Sequence, residues 1–148
     1  MAMGTGHIGV NVTDLSRSER FYMEVFGLQR LGGSTEGARR FAFLGDGSRL
    51  SITLWEQSRG TFSAQSPGLH HLSFQASTMG DVRDAEARLK ARGVQFVYDG
   101  VVPHAEGMES GGIFFEDPDG IRLEIFSPTG AGDAKAPAGE APSCGFFK

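Results

Sequence analysis

The 148-residue chain is 39% hydrophobic and 22% charged, enough for the core of one ordinary domain or two small modules, and this excludes disorder of the whole. Lys and Arg number 14 against 18 Asp and Glu, a formal net charge of -4 with no long run of one sign, so neither nucleic acid nor an anionic membrane surface is an expected partner. No apolar run is long enough to span a bilayer, and MAMGTGHIGV lacks the basic start and apolar stretch of a signal peptide. A cytoplasmic protein is expected. The lone Cys144 allows no internal disulfide and no paired-cysteine metal site, so any metal must rest on His and carboxylate.

In chain order, residues 6–12 (GHIGVNV) alternate apolar with small or polar side chains and predict a strand. DLSRSERFYMEVFG predicts a helix of about three turns. Ser16 with Glu19 offers its N-cap pair, Phe21/Val25 and Tyr22/Phe26 recur at helical spacing, and Gly27 ends it. Strands are predicted near 28–32, 39–44 and 49–56, with GGSTEG and GDGS as turns. A polar linker at 57–68 follows, and then the plan repeats. LHHLSFQAS predicts a strand, Thr78 with Asp81 a capping box, and Val82, Ala85 and Leu89 a helical stripe closed by Gly93. Strands are predicted near 94–98, 111–116 and 121–127. The fold class is α+β, a βαβββ module present twice, at 1–56 and 69–128. Residues 129–148, rich in Gly, Ala and Pro, predict a flexible tail.

Side chains of a strand alternate between faces, so the polar faces can be sorted once the apolar ones are assigned to the helices. His7, Gly9 and Asn11 share one face of the first strand; His71, Ser73 and Gln75 share that of its counterpart. Ser51, Thr53 and Trp55 fall on the polar side of the strand at 49–56, and Arg122, Glu124 and Phe126 on that of the last strand. His70 falls on the helix side or at the strand edge. Two curved sheets, each with a polar and partly aromatic face, imply a cleft for a small molecule. His7, His71 and Glu124 have the types of a two-histidine, one-carboxylate metal site with open positions, and a metal would justify a carboxylate between Leu123 and Ile125. Otherwise Glu124 requires a cation such as Arg49.

The segments HIGVNVTDLSRSERFYMEVFGL, GLHHLSFQAS and FFEDPDGIRLEIFSP resemble the vicinal oxygen chelate superfamily, which includes glyoxalase I, extradiol dioxygenases, fosfomycin-resistance transferases and bleomycin-type drug-binding proteins. The resemblance spans residues 6–127. It implies paired βαβββ modules forming a curved, partly open mixed sheet barrel with helices outside, around a divalent metal held by His7, His71 and Glu124. It also implies a homodimer, with modules exchanged between chains in some relatives. The departures are specific. Ser51 stands where glyoxalase I carries a fourth ligand, with Glu56 nearby at the wrong strand parity. Phe114 replaces a Tyr of the dioxygenases and transferases, and Gly9 replaces a Thr of the transferases.

Two functions follow as expectations. The first is a metal-dependent enzyme, dioxygenase-like or lyase-like, whose Fe(II), Mn(II), Zn(II) or Ni(II) is chelated by a substrate with two adjacent oxygens. In it Glu124 and His104 are the candidate catalytic groups, His104 as acid or base because histidine titrates near neutrality. Asn11, Ser51, Thr53, Trp55, Ser73, Phe114, Arg122 and Phe126 are the candidate substrate contacts. The second is a binding protein that sequesters an antibiotic or metabolite without catalysis.

Overall fold

The computed structural model describes residues 1–147. It divides into two compact units, Met1–Phe62 and the chain from Ser63 onward. Each is an α+β unit with one helix and an open four-stranded mixed sheet. Among the described residues no helix is long and apolar enough to cross a membrane.

The first unit runs β1 (Ile8–Val12), α1 (Leu15–Phe26), β2 (Gln29–Ser34), β3 (Phe41–Gly45) and β4 (Leu50–Glu56). The sheet order is β1-β4-β3-β2, with β1 and β4 parallel and the remaining pairs antiparallel. Helix α1 buries Leu15, Phe21, Tyr22 and Val25, with Val10, Val12, Ile52 and Leu54 among the buried strand residues. Its N-cap is Asp14, not the expected Ser16: the Asp14 carboxylate accepts from Arg17 N at 3.0 Å, so the helix begins earlier than the Ser16/Glu19 spacing suggests. A second carboxylate serves the same end. Glu56 accepts from Leu15 N at 2.7 Å and pairs with Arg40 at 3.2 Å, which accounts for an acidic residue at the end of β4.

The second unit runs β5 (Leu72–Gln75), α2 (Met79–Ala91), β6 (Val102–Pro103), β7 (Gly111–Glu116) and β8 (Arg122–Ser127), in sheet order β5-β8-β7-β6. Thr78 and Asp81 form the expected capping box of α2, which buries Val82, Ala85 and Leu89. The strand expected near 94–98 is reduced to a single bridge between Phe96 and Phe115. The chain bends through Gly100 at φ 79, and the edge of the sheet is taken instead by the two-residue β6. Pro103 lacks an N–H and cannot extend that strand far.

The turn between β7 and β8 sets the register of β8. Asp117 Oδ1 accepts from Asp119 N and Ile121 N, both at 2.8 Å, while Asp117 N donates to Ile121 O at 2.8 Å. Because Asp117 and Asp119 are buried, Asp117→Ala strands two amides away from water, and it is expected to cost about 2 kcal/mol in urea unfolding.

The segment after β8 departs most from expectation. Instead of a free tail it lies along the edge of the second unit. Ala131, Ala136 and Ser143 are buried. Ala131 N donates to Glu109 O at 2.9 Å, Ala136 N to Glu106 Oε2 at 3.0 Å, Ser143 N to His104 O at 2.7 Å and Ser143 Oγ to Pro103 O at 2.6 Å. The small residues that suggested flexibility allow this close approach, and the hydrogen bonds satisfy carbonyls around the short edge strand.

Candidate functional site

Strand β8 lies between β5 and β7, and the register places Ser73 on one side of Glu124 and Phe114 on the other. Glu124 is 2% exposed, so each carboxylate oxygen needs a partner. Arg49, the sequence-based candidate for that partner, donates to Thr5 O at 2.6 Å. The partners found are histidines. His104 Nε2 lies 2.5 Å from Glu124 Oε1, with its Nδ1 2.9 Å from Ser110 Oγ. His71 Nε2 lies 3.6 Å from Glu124 Oε2. Burial by itself pushes the carboxyl pKa up, but hydrogen bonding by His104, His71 and Ser73, together with the charge of His104, brings it down to about 2. The His71 contact, at 3.6 Å, is longer than an ordinary hydrogen bond, so His104 is the carboxylate's firm partner.

The second unit thus brings together His71, Ser73, His104, Phe114, Glu124 and Phe126. The Phe126 ring lies 5.3 Å from that of His104. Phe114 is fully buried, with Tyr98 edge-on at 5.5 Å and Phe147 at 5.7 Å. The Arg122 guanidinium sits 4.8 Å from the centre of the Phe147 ring. Sequence reasoning missed Ser110, Tyr98 and the role of Ser143. The phenol of Tyr98, its pKa raised by burial, donates to Ser143 O at 2.7 Å. The last described residue, Phe147, packs back against Phe114 of the sheet. Of the two places expected for His70, the strand edge is the one found, since both histidines just precede β5. Their rings stand 5.1 Å apart and their Nδ1 atoms 2.8 Å apart.

The first unit gathers an aromatic wall. Trp55 Nε1 donates to the buried Thr53 Oγ1 at 2.9 Å, and the indole stacks on Phe41 at 5.3 Å with Phe43 edge-on at 6.1 Å. Beside it lies a cavity of about 210 Å³ lined by Arg40, Phe41, Trp55 and Glu56 among others. Two candidates are used otherwise. Asn11 Oδ1 accepts from Gln57 N at 3.0 Å, and Ser51 falls where the β3–β4 register slips between Leu44 and Gly45. His7 is exposed and precedes β1.

Residues 4–125 match the family model of the Glyoxalase/Bleomycin resistance protein/Dioxygenase superfamily. The chain belongs to that superfamily. The glyoxylase/bleomycin resistance protein/dioxygenase domain from Frankia sp. EAN1pec is 26% identical, with a TM-score of 0.71 over 86% of this chain and 93% of that one. The fosfomycin resistance protein FosX from Listeria monocytogenes, complexed with Mn(II) and sulfate ion, shares the superfamily fold at 23% identity. Its TM-score is 0.64 over 87% of this chain and 95% of that one. Glyoxylase I 4 of Arabidopsis thaliana is 29% identical over 123 residues, covering 80% of this chain and 67% of that protein. The uncharacterized Bacillus subtilis protein YqjT is 36% identical over 62 residues, so the match spans 42% of this chain and about half of that relative (48%).

His71 and Glu124 of the second unit are donor types that suit a divalent ion. Two ligands each about 2.1 Å from a metal stand roughly 3 to 3.4 Å apart in octahedral or tetrahedral geometry. The His71 and Glu124 donors, at 3.6 Å, need to close by a few tenths of an ångström. His104 lies too close to Glu124 Oε1 to share a metal with it, and instead hydrogen-bonds and orients the carboxylate. Among the described residues no three His, Cys, Asp or Glu side chains are gathered as a finished cage. The second unit therefore brings together an imidazole and an oriented carboxylate.

Proposed function

We propose that this superfamily member is a metal-dependent enzyme, dioxygenase-like or lyase-like, with His7, His71 and Glu124 as ligands of one Fe(II), Mn(II), Zn(II) or Ni(II). The observation that carries the reading is the arrangement around Glu124, a buried carboxylate held on one oxygen by His104 and facing a second imidazole with the other. Bound there, the ion would act as a Lewis acid toward a small substrate that presents two adjacent oxygens. His104 holds Oε1 against β8 and is the nearest group able to exchange a proton with that substrate. Phe114 and Phe126 supply apolar walls, and Arg122 attracts an anionic substituent. The naming of similar proteins as glyoxylase and as a Mn(II) complex of FosX supports an enzyme over a passive binder. His7 completes the set either within one chain or from the partner in a homodimer.

A second reading has an observation of its own: the stacked Phe41 and Trp55, with Phe43 edge-on, beside a cavity in the first unit suit sequestration of a planar drug or metabolite. Metal analysis separates the two. The wild-type protein, reconstituted with each of the four ions, is expected to retain about one per chain, and His71→Ala and Glu124→Ala to retain none. Failure of the wild type to retain any of them overturns the enzyme reading.

A further inference from the structure

We propose that His70 is a positioning residue that fixes the tautomer of His71, and with it the ability of His71 to hold a metal, through a hydrogen-bond relay beginning at the Gly145 carbonyl. The relay follows from which atoms can donate. His70 Nε2 lies 2.9 Å from Gly145 O. A carbonyl only accepts, so His70 carries its proton on Nε2, and a neutral imidazole then presents a lone pair at Nδ1. His71 Nδ1 lies 2.8 Å from that lone pair. Two ring nitrogens at this distance need a proton between them, so His71 donates from Nδ1 and is left with a lone pair at Nε2. That lone pair faces Glu124 Oε2 at 3.6 Å.

Two electron-rich atoms facing each other in a buried site repel, and a cation between them removes the conflict. The opposite tautomer would place a hydrogen on His71 Nε2, where it would bond the carboxylate and exclude a metal. Metal-bound histidines are oriented by a partner on the other ring nitrogen, and here that partner is a second histidine in place of the more usual carboxylate or carbonyl.

The outer end of the relay is itself anchored. Gly145 follows the buried Ser143, fixed to Pro103 and His104 by its two hydrogen bonds. The Phe147 ring packs 5.4 Å from His70 and 6.0 Å from His71. Residues 143–147 thereby belong to the support of the site. The inference rests on the reading of His71 as a ligand, and its test is chosen so that the two can fail separately.

The experiment compares wild type, His70→Phe and His70→Gln in the full chain. His70→Phe keeps a ring against Phe147 but neither donates nor accepts; the Gln amide can do both. Ring ¹⁵N spectra of the metal-free proteins at about pH 8, where unperturbed imidazoles are neutral, are expected to show His71 protonated at Nδ1 in the wild type and at Nε2 in His70→Phe. Competition titration with Mn(II) and Zn(II) is expected to show a loss of about 10- to 100-fold in affinity for His70→Phe, partly recovered in His70→Gln. An Nε2–H tautomer of His71 in the wild type overturns the relay, as does unchanged metal affinity in His70→Phe. If the wild type binds neither these ions nor Fe(II) or Ni(II), the enzyme reading falls while the spectra still decide the relay.

Discussion

Glu124→Gln is expected to lower divalent-metal affinity by more than about 100-fold while leaving the chain folded. The amide has the shape of the carboxylate, and its oxygen still accepts from His104. Its NH₂, however, meets His71 Nε2, where it donates into the lone pair that a metal would use, and the negative charge that draws the cation is gone. Titration with Mn(II) measures the loss, and far-ultraviolet circular dichroism checks the fold. Unchanged affinity would remove Glu124 from the ligand set. The same variant has a signature in acid. In the metal-free wild type hydrogen bonding by His104 and Ser73 holds the Glu124 carboxyl below its ordinary value of 4.5, so its ionised form favours the folded chain. That contribution is complete above the ordinary value and is lost as the pH falls below it through the lowered value of the folded chain. Stability of the wild type should therefore drop more steeply between neutral and strongly acidic pH than that of Glu124→Gln.

Gly112→Ala is expected to cost about 3 kcal/mol or more in chemical unfolding, at the severe end of overpacking effects. A methyl group there would press on the Ile125 carbonyl oxygen and stand 2.6 Å from Phe126 Cα, both backbone atoms of β8 that cannot step aside without breaking the ladder. The damage is local to the site, because β7 and β8 hold Phe114 opposite Glu124. Gly9→Ala is the control. Its added carbon meets only Thr53 Oγ1 at 3.5 Å and Trp55 Nε1 at 3.7 Å, ordinary contacts, so stability should change by less than about 0.5 kcal/mol. Equal stability of the two variants would mean that the sheet relaxes around Gly112 more freely than its packing indicates.

Strand alternation was most informative where strands are regular. Ser73 and Glu124 share a face because β5 and β8 pair in register, and Thr53 and Trp55 do so because β4 alternates without interruption beyond Ile52. It failed where the chain leaves the ladder. Ser51 lies at a register slip, and the expected strand near 94–98 had the right side chains but bends away after one bridge. Helix limits depended on capping chemistry: Thr78 with Asp81 was unambiguous, whereas Asp14 and Ser16 were both acceptable residues and only the Asp14 carboxylate reaches an amide. The final segment was misjudged because composition measures an average tendency. A stretch of Gly, Ala and Pro has little apolar area to bury, yet Ser143, Gly145 and Phe147 act through individual hydrogen bonds and ring contacts that no average reports.

Parallel pairing of β1 with β4 and of β5 with β8 joins the first strand of each unit to its last, Ile8 beside Ile52 and Leu72 beside Leu123. Pairing strands so distant in sequence closes a long loop, which is entropically costly until other contacts have shortened it, so this closure is expected late in folding. His71 and Glu124 lie on the two sides of that final closure. A chain still folding, or one emerging from the ribosome, therefore has both residues but not yet a place where they meet, and on the proposed reading any metal would be captured only after that closure.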